Sequence, residues 1–257
     1  MADYTRFSMS KWNEGKVVAL RLWTDRLYSL QVEAAIEPFR AGQFGRLALP
    51  DESNGEMIAR PYSFVNAPQE HPLEFHFITL DQGPLTSRLV QLKPGNPIWI
   101  APKGSGFMTL ADIQDARHLW LLSTGTALGP FLSICKTPDP WKRFEKVVLV
   151  HAVRRAAELS YQDMVREIQA ARGQQFVFIP FVSREDTGFA IKGRVPQAIE
   201  DGRLEAGAGI PLDAATSQVM ICGNPDMVED TQKVLEARGL RKNRRKEPGH
   251  ITVENYW

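Results

Sequence analysis

The chain has 257 residues, 43% of them hydrophobic and 24% charged, with a formal net charge of +1. That length buries a real core in one large or two ordinary domains, and the composition is that of a globular protein. The charge balance speaks against nucleic acid as the partner, and no apolar run nears the ~20 residues of a membrane helix.

Met1–Ser10 is polar and lacks the apolar centre of a signal peptide, so a cytoplasmic protein is the expectation. Cys135 and Cys222 are the two cysteines, with no CxxC, and the five histidines are scattered singly. Neither an iron–sulfur cluster nor a zinc site is predicted, and no metal ligand is assigned. Redox chemistry would require a bound organic cofactor.

From Lys16 to about Lys103 the chain reads as short strands: Val17–Leu22, Tyr28–Val32, Phe44–Leu49, Leu73–Thr79 and Pro97–Ile100. Turn residues punctuate them at intervals of roughly ten residues, which predicts an antiparallel barrel. One helix, Leu85–Leu92, interrupts it between Gly83-Pro84 and Pro94-Gly95. Arg60-Pro61-Tyr62-Ser63-Phe64 lies within this half, and Pro61 keeps Arg60 out of the helical region. An extended segment there sets Tyr62 on one face, with Arg60 and Ser63 placed to meet a charged, planar ligand. Arginine supplies a fork for phosphate, tyrosine a flat surface and serine a hydrogen bond, a set that suits a flavin dinucleotide. An exposed Arg and Tyr on an edge strand would look the same.

After Leu110–Ala116 strands alternate with helices. Leu119–Ser123, Val147–Ala152, Phe176–Val182 and Val219–Cys222 are apolar strands, the last being the final clear buried one. Helices are predicted from about Pro130, at Tyr161–Arg172, after Arg194 and at Met227–Ala237. The pattern implies a parallel sheet covered on both faces.

Two strand–turn–helix loops stand at its carboxyl edge, where such sheets bind ligands. Ser123-Thr124-Gly125-Thr126-Ala127-Leu128-Gly129-Pro130 is either a tight turn or a pyrophosphate cradle on a helix N-terminus. Ile221-Cys222-Gly223-Asn224-Pro225-Asp226 repeats the form. Arg184 after Ser183, Arg194 and Arg154 are candidates for an extra ribose phosphate, unless Glu185 and Asp186 neutralise Arg184 locally. The basic run Arg238–Lys246 reads first as a solvated, loosely structured linker, or else as a docking patch for an acidic protein.

In order, Arg-x-Tyr-Ser, Gly-Pro-Leu-Thr-Ser-Arg-Leu, Thr-Gly-Thr-Ala-Leu-Gly-Pro, His-Ala-Val-Arg, Val-Ser-Arg-Glu, Cys-Gly-Asn-Pro and a terminal Tyr-Trp resemble bacterial ferredoxin (flavodoxin)–NADP reductases over nearly the whole chain. The resemblance implies an N-terminal antiparallel Greek-key β-barrel for FAD over 1–111. A parallel-sheet α/β domain for NADP over 112–257 follows, ending in an aromatic tail. It implies that Arg60, Pro61, Tyr62 and Ser63 hold the flavin and its phosphates. His76, Phe77, Ile78 and Thr79 would line the FAD, and Pro84, Leu85 and Thr86 would meet the pyrophosphate. Thr126 would touch the flavin, while Tyr256 and Trp257 would cover part of it, on either the isoalloxazine or the adenine. NADP would fall to Val153, Arg154, Ser183, Arg184, Arg194, Asn224, Pro225, Asp226 and Asp230.

Ser63, Cys222 and Glu254 match the positions at the flavin–nicotinamide contact. Cys222 there is a positioning residue or an inert buried thiol, and not a nucleophile. The implied reaction carries electrons between NADPH and a ferredoxin or flavodoxin, an acidic partner, with the enzyme a monomer. The alternative is an NAD(P)H-dependent flavin reductase or an oxygenase-coupled electron-transfer component.

Overall fold

The computed structural model describes residues 11–51, 53–80, 83–244 and 246–255. Six strands form an antiparallel sheet: β1 (Asn13–Leu22), β2 (Leu27–Glu33), β3 (Phe44–Pro50), β4 (Met57–Ser63), β5 (Leu73–Ile78) and β6 (Pro97–Ile100). Their order is β4-β3-β6-β1-β2-β5. A bridge between Phe64 and Phe75, with the Val65 N–H donating to Glu74 O, joins the two ends into a barrel. Closure removes the open edges that an isolated sheet would expose.

β1 begins at Asn13, earlier than its apolar residues suggest, because Asn13–Lys16 pairs with Pro97–Ile100. Those four residues carry weak strand preference, and the partner strand supplies what propensity does not. The predicted Leu85–Leu92 helix is one turn, α1 (Thr86–Leu89). Leu30, Leu47, Phe64, Phe75, Phe77 and Ile98 fill the barrel core.

The second sheet is parallel throughout, in the order β10-β9-β8-β7-β11-β12. Its strands are β7 (His118–Thr124), β8 (Lys146–Val153), β9 (Phe176–Val182), β10 (Ile191–Lys192), β11 (Ser217–Gly223) and β12 (Ile251–Asn255). Seven residues of β11 are all buried, as a central parallel strand requires. The helices are α2 (Leu128–Cys135), α3 (Asp139–Arg143), α4 (Gln162–Arg172), α5 (Val195–Glu200), α6 (Arg203–Ala208) and α7 (Pro225–Ala237). Those before β9 share a core with Leu119, Leu121, Phe131 and Leu149, and those after it share one with Trp120, Leu122, Ile199 and Leu235. Truncating a side chain such as Phe131 costs about 3–5 kcal/mol.

Two edge strands, β10 and β12, and two short helices, α3 and α6, went unpredicted. β12 follows Val219–Cys222, which remains the last fully buried strand. Nor is Arg238–Lys246 a loose linker. Arg238 Nη1 donates to Glu205 Oε2 at 2.6 Å, and both side chains are largely covered. Further on, Lys242 bridges Ile251, Asn243 N–H donates to Ile251 O, and Asn243 Nδ2 donates to Asp112 O at 2.7 Å. The segment clips β12 onto the fold, which local charge content does not reveal.

Candidate active site

β4 changes surroundings along its length: Arg60 and Pro61 are exposed, whereas Tyr62 and Ser63 are buried. The strand runs from the barrel surface to the seam with the second domain. Arg60 donates only to the neighbouring Ala59 O, at 2.8 Å, and makes no ion pair among the described residues. Its guanidinium therefore stays available to an anion. The Tyr62 ring meets Phe77 edge-on with centroids 6.0 Å apart, and burial pushes its hydroxyl up to about 12, so it stays neutral. Phe77 in turn stacks on Tyr28.

His76 turns toward the second domain. Its Nδ1 lies 3.0 Å from Tyr28 O and its Nε2 lies 3.0 Å from Ser160 Oγ. Burial, and then neighbouring His151, press its pKa down to about 3, so the ring is neutral. Beside it Tyr161 donates to Glu74 Oε1 at 2.7 Å and shares a 2.5 Å bond with Ser29 Oγ, which accepts from Trp23 Nε1. Tyr161 has φ 58, the left-handed region a bulky residue rarely enters. Together with Ser133 donating to Asn66 O and the Lys136–Glu70 pair, this network fastens barrel to sheet. Ile78 ends β5 and Thr79 follows it, Leu85 is buried, Pro84 is exposed, and Thr86 Oγ1 accepts from Leu80 N–H at 3.3 Å.

The carboxyl edge of the parallel sheet carries the two predicted loops. A single turn of 3-10 helix, Gly125–Ala127, leads into α2, and Gly129 approaches Val65 and Ser63 O of the barrel. At α7, Asn224 Oδ1 accepts from Asp226 N–H and Met227 N–H, with Pro225 as the first helical residue. The loops are tied to each other, since Asn224 N–H donates to Thr124 Oγ1 at 2.9 Å. Gly223, at φ 143, is required there: a Cβ would sit 2.0 Å from Thr124 Oγ1.

Cys222 stands in parallel register with Ser123 on one side and Glu254 on the other. The Glu254 carboxyl reaches the barrel, 3.5 Å from where a Gly106 side chain would begin, and Phe44 adjoins the same point. Phe44 is the register partner of Ser63. Ser63, Cys222 and Glu254, far apart in sequence, are thus gathered where the two domains meet. Burial pushes Glu254 up to about 7, and burial followed by the Glu254 charge raises the Cys222 thiol well above its ordinary value. A thiol so disfavoured as thiolate is no nucleophile.

Three arginines crowd the next strand ends. Arg184 N–H donates to Arg154 O, and Gly193 N–H donates to Val182 O, so Arg154, Arg184 and Arg194 follow neighbouring strands. All three are exposed. Glu185 accepts from Ala156 N–H and lies 3.9 Å from Arg155, while Asp186 lies 3.8 Å from Lys192. Among the described residues, neither carboxylate pairs with Arg184. Val153 is buried beneath this cluster and accepts from Ser183 Oγ at 3.3 Å; Asp226 and Asp230 are exposed on α7. Tyr256 and Trp257 lie outside the described residues. Gly106 and His151 went unnoticed in the sequence, although His151 opens the His-Ala-Val-Arg motif.

The family model for the oxidoreductase NAD-binding domain matches residues 121–233. The chain is 44% identical to the flavodoxin/ferredoxin–NADP reductase of Shigella flexneri, covering 97% of this chain and 100% of that one. It is 35% identical to the ferredoxin–NADP reductase of Azotobacter vinelandii, covering 96% and 98%. Among solved structures, a ferredoxin NADP+ reductase from Neisseria gonorrhoeae with bound FAD and NADP superposes with a TM-score of 0.90 at 30% identity, over 96% and 99%.

Proposed function

The chain belongs to the flavodoxin/ferredoxin–NADP reductase family, and from that premise we propose how its own residues divide the work. It is an oxidoreductase that moves electrons between NADPH and ferredoxin or flavodoxin, with FAD and NADP as its cofactors. The donor set fits both. A free guanidinium at Arg60, a neutral buried ring at Tyr62, an open glycine turn at Gly125 and three exposed arginines suit two dinucleotides carrying several phosphates. FAD, when bound, supplies a ring that takes two electrons from NADPH together and releases them singly.

Arg60, Tyr62 and Ser63 orient the flavin, with Pro61 keeping the strand extended. His76–Thr79, Pro84–Thr86 and Thr126 form the rest of its wall, and Tyr256 and Trp257 close it. Arg184 and Arg194, with Arg154, take the phosphate that distinguishes NADPH from NADH. Val153, Ser183, Asn224, Pro225, Asp226 and Asp230 shape the remainder of that groove. Cys222 is small enough to let the nicotinamide approach and Ser63 meets the reacting edge, while Glu254 holds or releases a proton beside them. Residues 1–111 make the FAD unit and 112–257 the NADP unit.

An acidic partner would be drawn to the exposed Arg241, Lys242, Arg244 and Lys246. We read the enzyme as a cytoplasmic monomer. No helix among the described residues is long and apolar enough to cross a membrane.

The convergence of Ser63 with Cys222 and Glu254 at the domain seam carries this reading, because transfer needs the two cofactors in contact there. The test is anaerobic spectroscopy of the purified holoprotein. NADPH should bleach the flavin absorbance, and ferredoxin or flavodoxin should restore it. A flavin that ignores NADPH refutes the reading, and one that reacts with NADPH but not with either carrier favours a free-flavin reductase.

A further inference from the structure

His151 lies in the middle of the parallel sheet, in register with Ser123 of β7 and Pro180 of β9, and is wholly buried. Its Nε2 sits 3.1 Å from Gly125 O. A carbonyl only accepts, so Nε2 must carry the proton and Nδ1 is left as a bare lone pair. In agreement, Nδ1 is buried without a hydrogen-bond partner among the described residues. Burial presses the ring's pKa down to about 4, so this neutral form persists at physiological pH.

Gly125 O also accepts from Leu128 N–H, which starts the turn into α2. Both lone pairs of that oxygen are then engaged, and the plane of the peptide joining Gly125 to Thr126 is held from two directions. This peptide is trans. In a trans peptide the N–H points opposite to the C=O. With the carbonyl drawn toward His151, the Thr126 N–H points the opposite way, away from the imidazole. N–H groups in a helix's first turn lack intrahelical partners, so this one is available to a ligand oxygen.

We propose that His151 is a positioning residue that aims the Thr126 amide at an oxygen of a bound cofactor. The ligand chemistry is a phosphate or carbonyl oxygen, supplied by NADPH or by FAD. The inference rests on reading the seam as the cofactor site and goes beyond it, because His151 is wholly buried and acts through the Gly125–Thr126 peptide.

The first measurement is nitrogen NMR of the wild-type holoenzyme labelled at histidine. It should show His151 as the Nε2–H tautomer at neutral pH; the Nδ1–H tautomer would overturn the proposal. The second compares His151→Leu, which removes the donor, with His151→Gln, whose amide restores one at about the Nε2 position. His151→Leu should weaken either the KM for NADPH or the dissociation constant for FAD about tenfold, leaving the other within twofold. Which of the two moves tells whose oxygen is held, and His151→Gln should recover most of the loss. Unchanged constants in His151→Leu, or no recovery in a His151→Gln protein of wild-type melting temperature, would also overturn it. Should His151→Leu not fold, the tautomer and the His151→Gln constants still decide. If the wild-type flavin fails to respond to NADPH, the underlying reading has failed instead.

Discussion

Cys222 and Glu254 face each other in parallel register across β11 and β12, and the carboxyl of Glu254 ends against Gly106 of the barrel. One covered acid is therefore shared by both domains. Burial raises its pKa from 4.5 to about 7, so the native state holds a proton between those values that the unfolded chain has lost. More protons bound in the native state means stability falls as pH rises across that window, levelling off above about 7. Glu254→Gln should abolish this fall. The variant should gain on the order of 1–3 kcal/mol over wild type above pH 7 and little at pH 4.5. Melting temperature against pH checks it; parallel curves would mean that the carboxyl is not confined as described.

Arg184 and Arg194 end neighbouring strands with no carboxylate committed to either among the described residues. Charge-assisted bonds to a phosphate are worth about 1.5–3 kcal/mol each. Arg184→Ala combined with Arg194→Ala should raise the KM for NADPH at least tenfold and leave that for NADH within about twofold. Steady-state rates with each nucleotide measure the difference. Equal losses would move the extra phosphate's site away from these arginines.

Much of this arrangement was legible from the chain. Arg60–Ser63 reads as an extended segment because Pro61 bars Arg60 from the helical region, and it is the end of β4. The loops after β7 and β11 read as helix-opening turns because Gly125, Gly223 and Pro225 stand where turn chemistry requires them. Other parts are non-local and were not legible. β12 is a short edge strand whose burial comes from its neighbour β11, and the Arg238–Lys246 charges hide a backbone clip. His151 sits in a run of apolar strand residues that reads as packing, and its partner is a backbone carbonyl 26 residues earlier. The burial that shifts Glu254 is likewise non-local, since its carboxyl ends beside Gly106 of the other domain.

Tyr161 bonds Glu74 and Ser29 of the barrel from a left-handed backbone position at the head of α4. Tyr161→Phe keeps the ring and deletes the hydroxyl, leaving both partners short of a bond. A loss of about 1–3 kcal/mol in stability is expected. If the network fixes domain placement, the rate of flavin reduction at saturating NADPH should fall too. Rapid-mixing kinetics reports this; a stability loss with an unchanged rate would make the network a fastening only.

Burial raises the Cys135 thiol to about 12 and that of Cys222 well above its ordinary value. Thiolate is the reactive form, so neither should be alkylated by iodoacetamide at pH 7 in the native protein. Both should react once it is unfolded in guanidinium. Mass spectrometry of the labelled peptides decides, and fast native labelling of Cys222 would return it to the list of nucleophiles. Cys222→Ser should lower the rate of flavin reduction more than it changes the KM for NADPH, as expected of a residue that sets approach distance.

Arg241, Lys242, Arg244 and Lys246 are exposed on the segment that clips β12, and among the described residues only Arg244 shows a carboxylate nearby, Glu247 at 3.5 Å. Exposed charges act over about 10 Å at 0.1 M salt, chiefly on the rate of encounter. If an acidic carrier docks over this segment, replacing Lys242, Arg244 and Lys246 by alanine should cut kcat/KM for the carrier about tenfold at low salt. The salt dependence should flatten as well. Flavin reduction at saturating NADPH takes place within a complex already formed, so it should be unaffected by the same changes. Stopped-flow measurement of both half-reactions from 20 mM to about 500 mM salt separates them. A carrier reaction with the wild-type salt slope in the triple variant would place docking on another face.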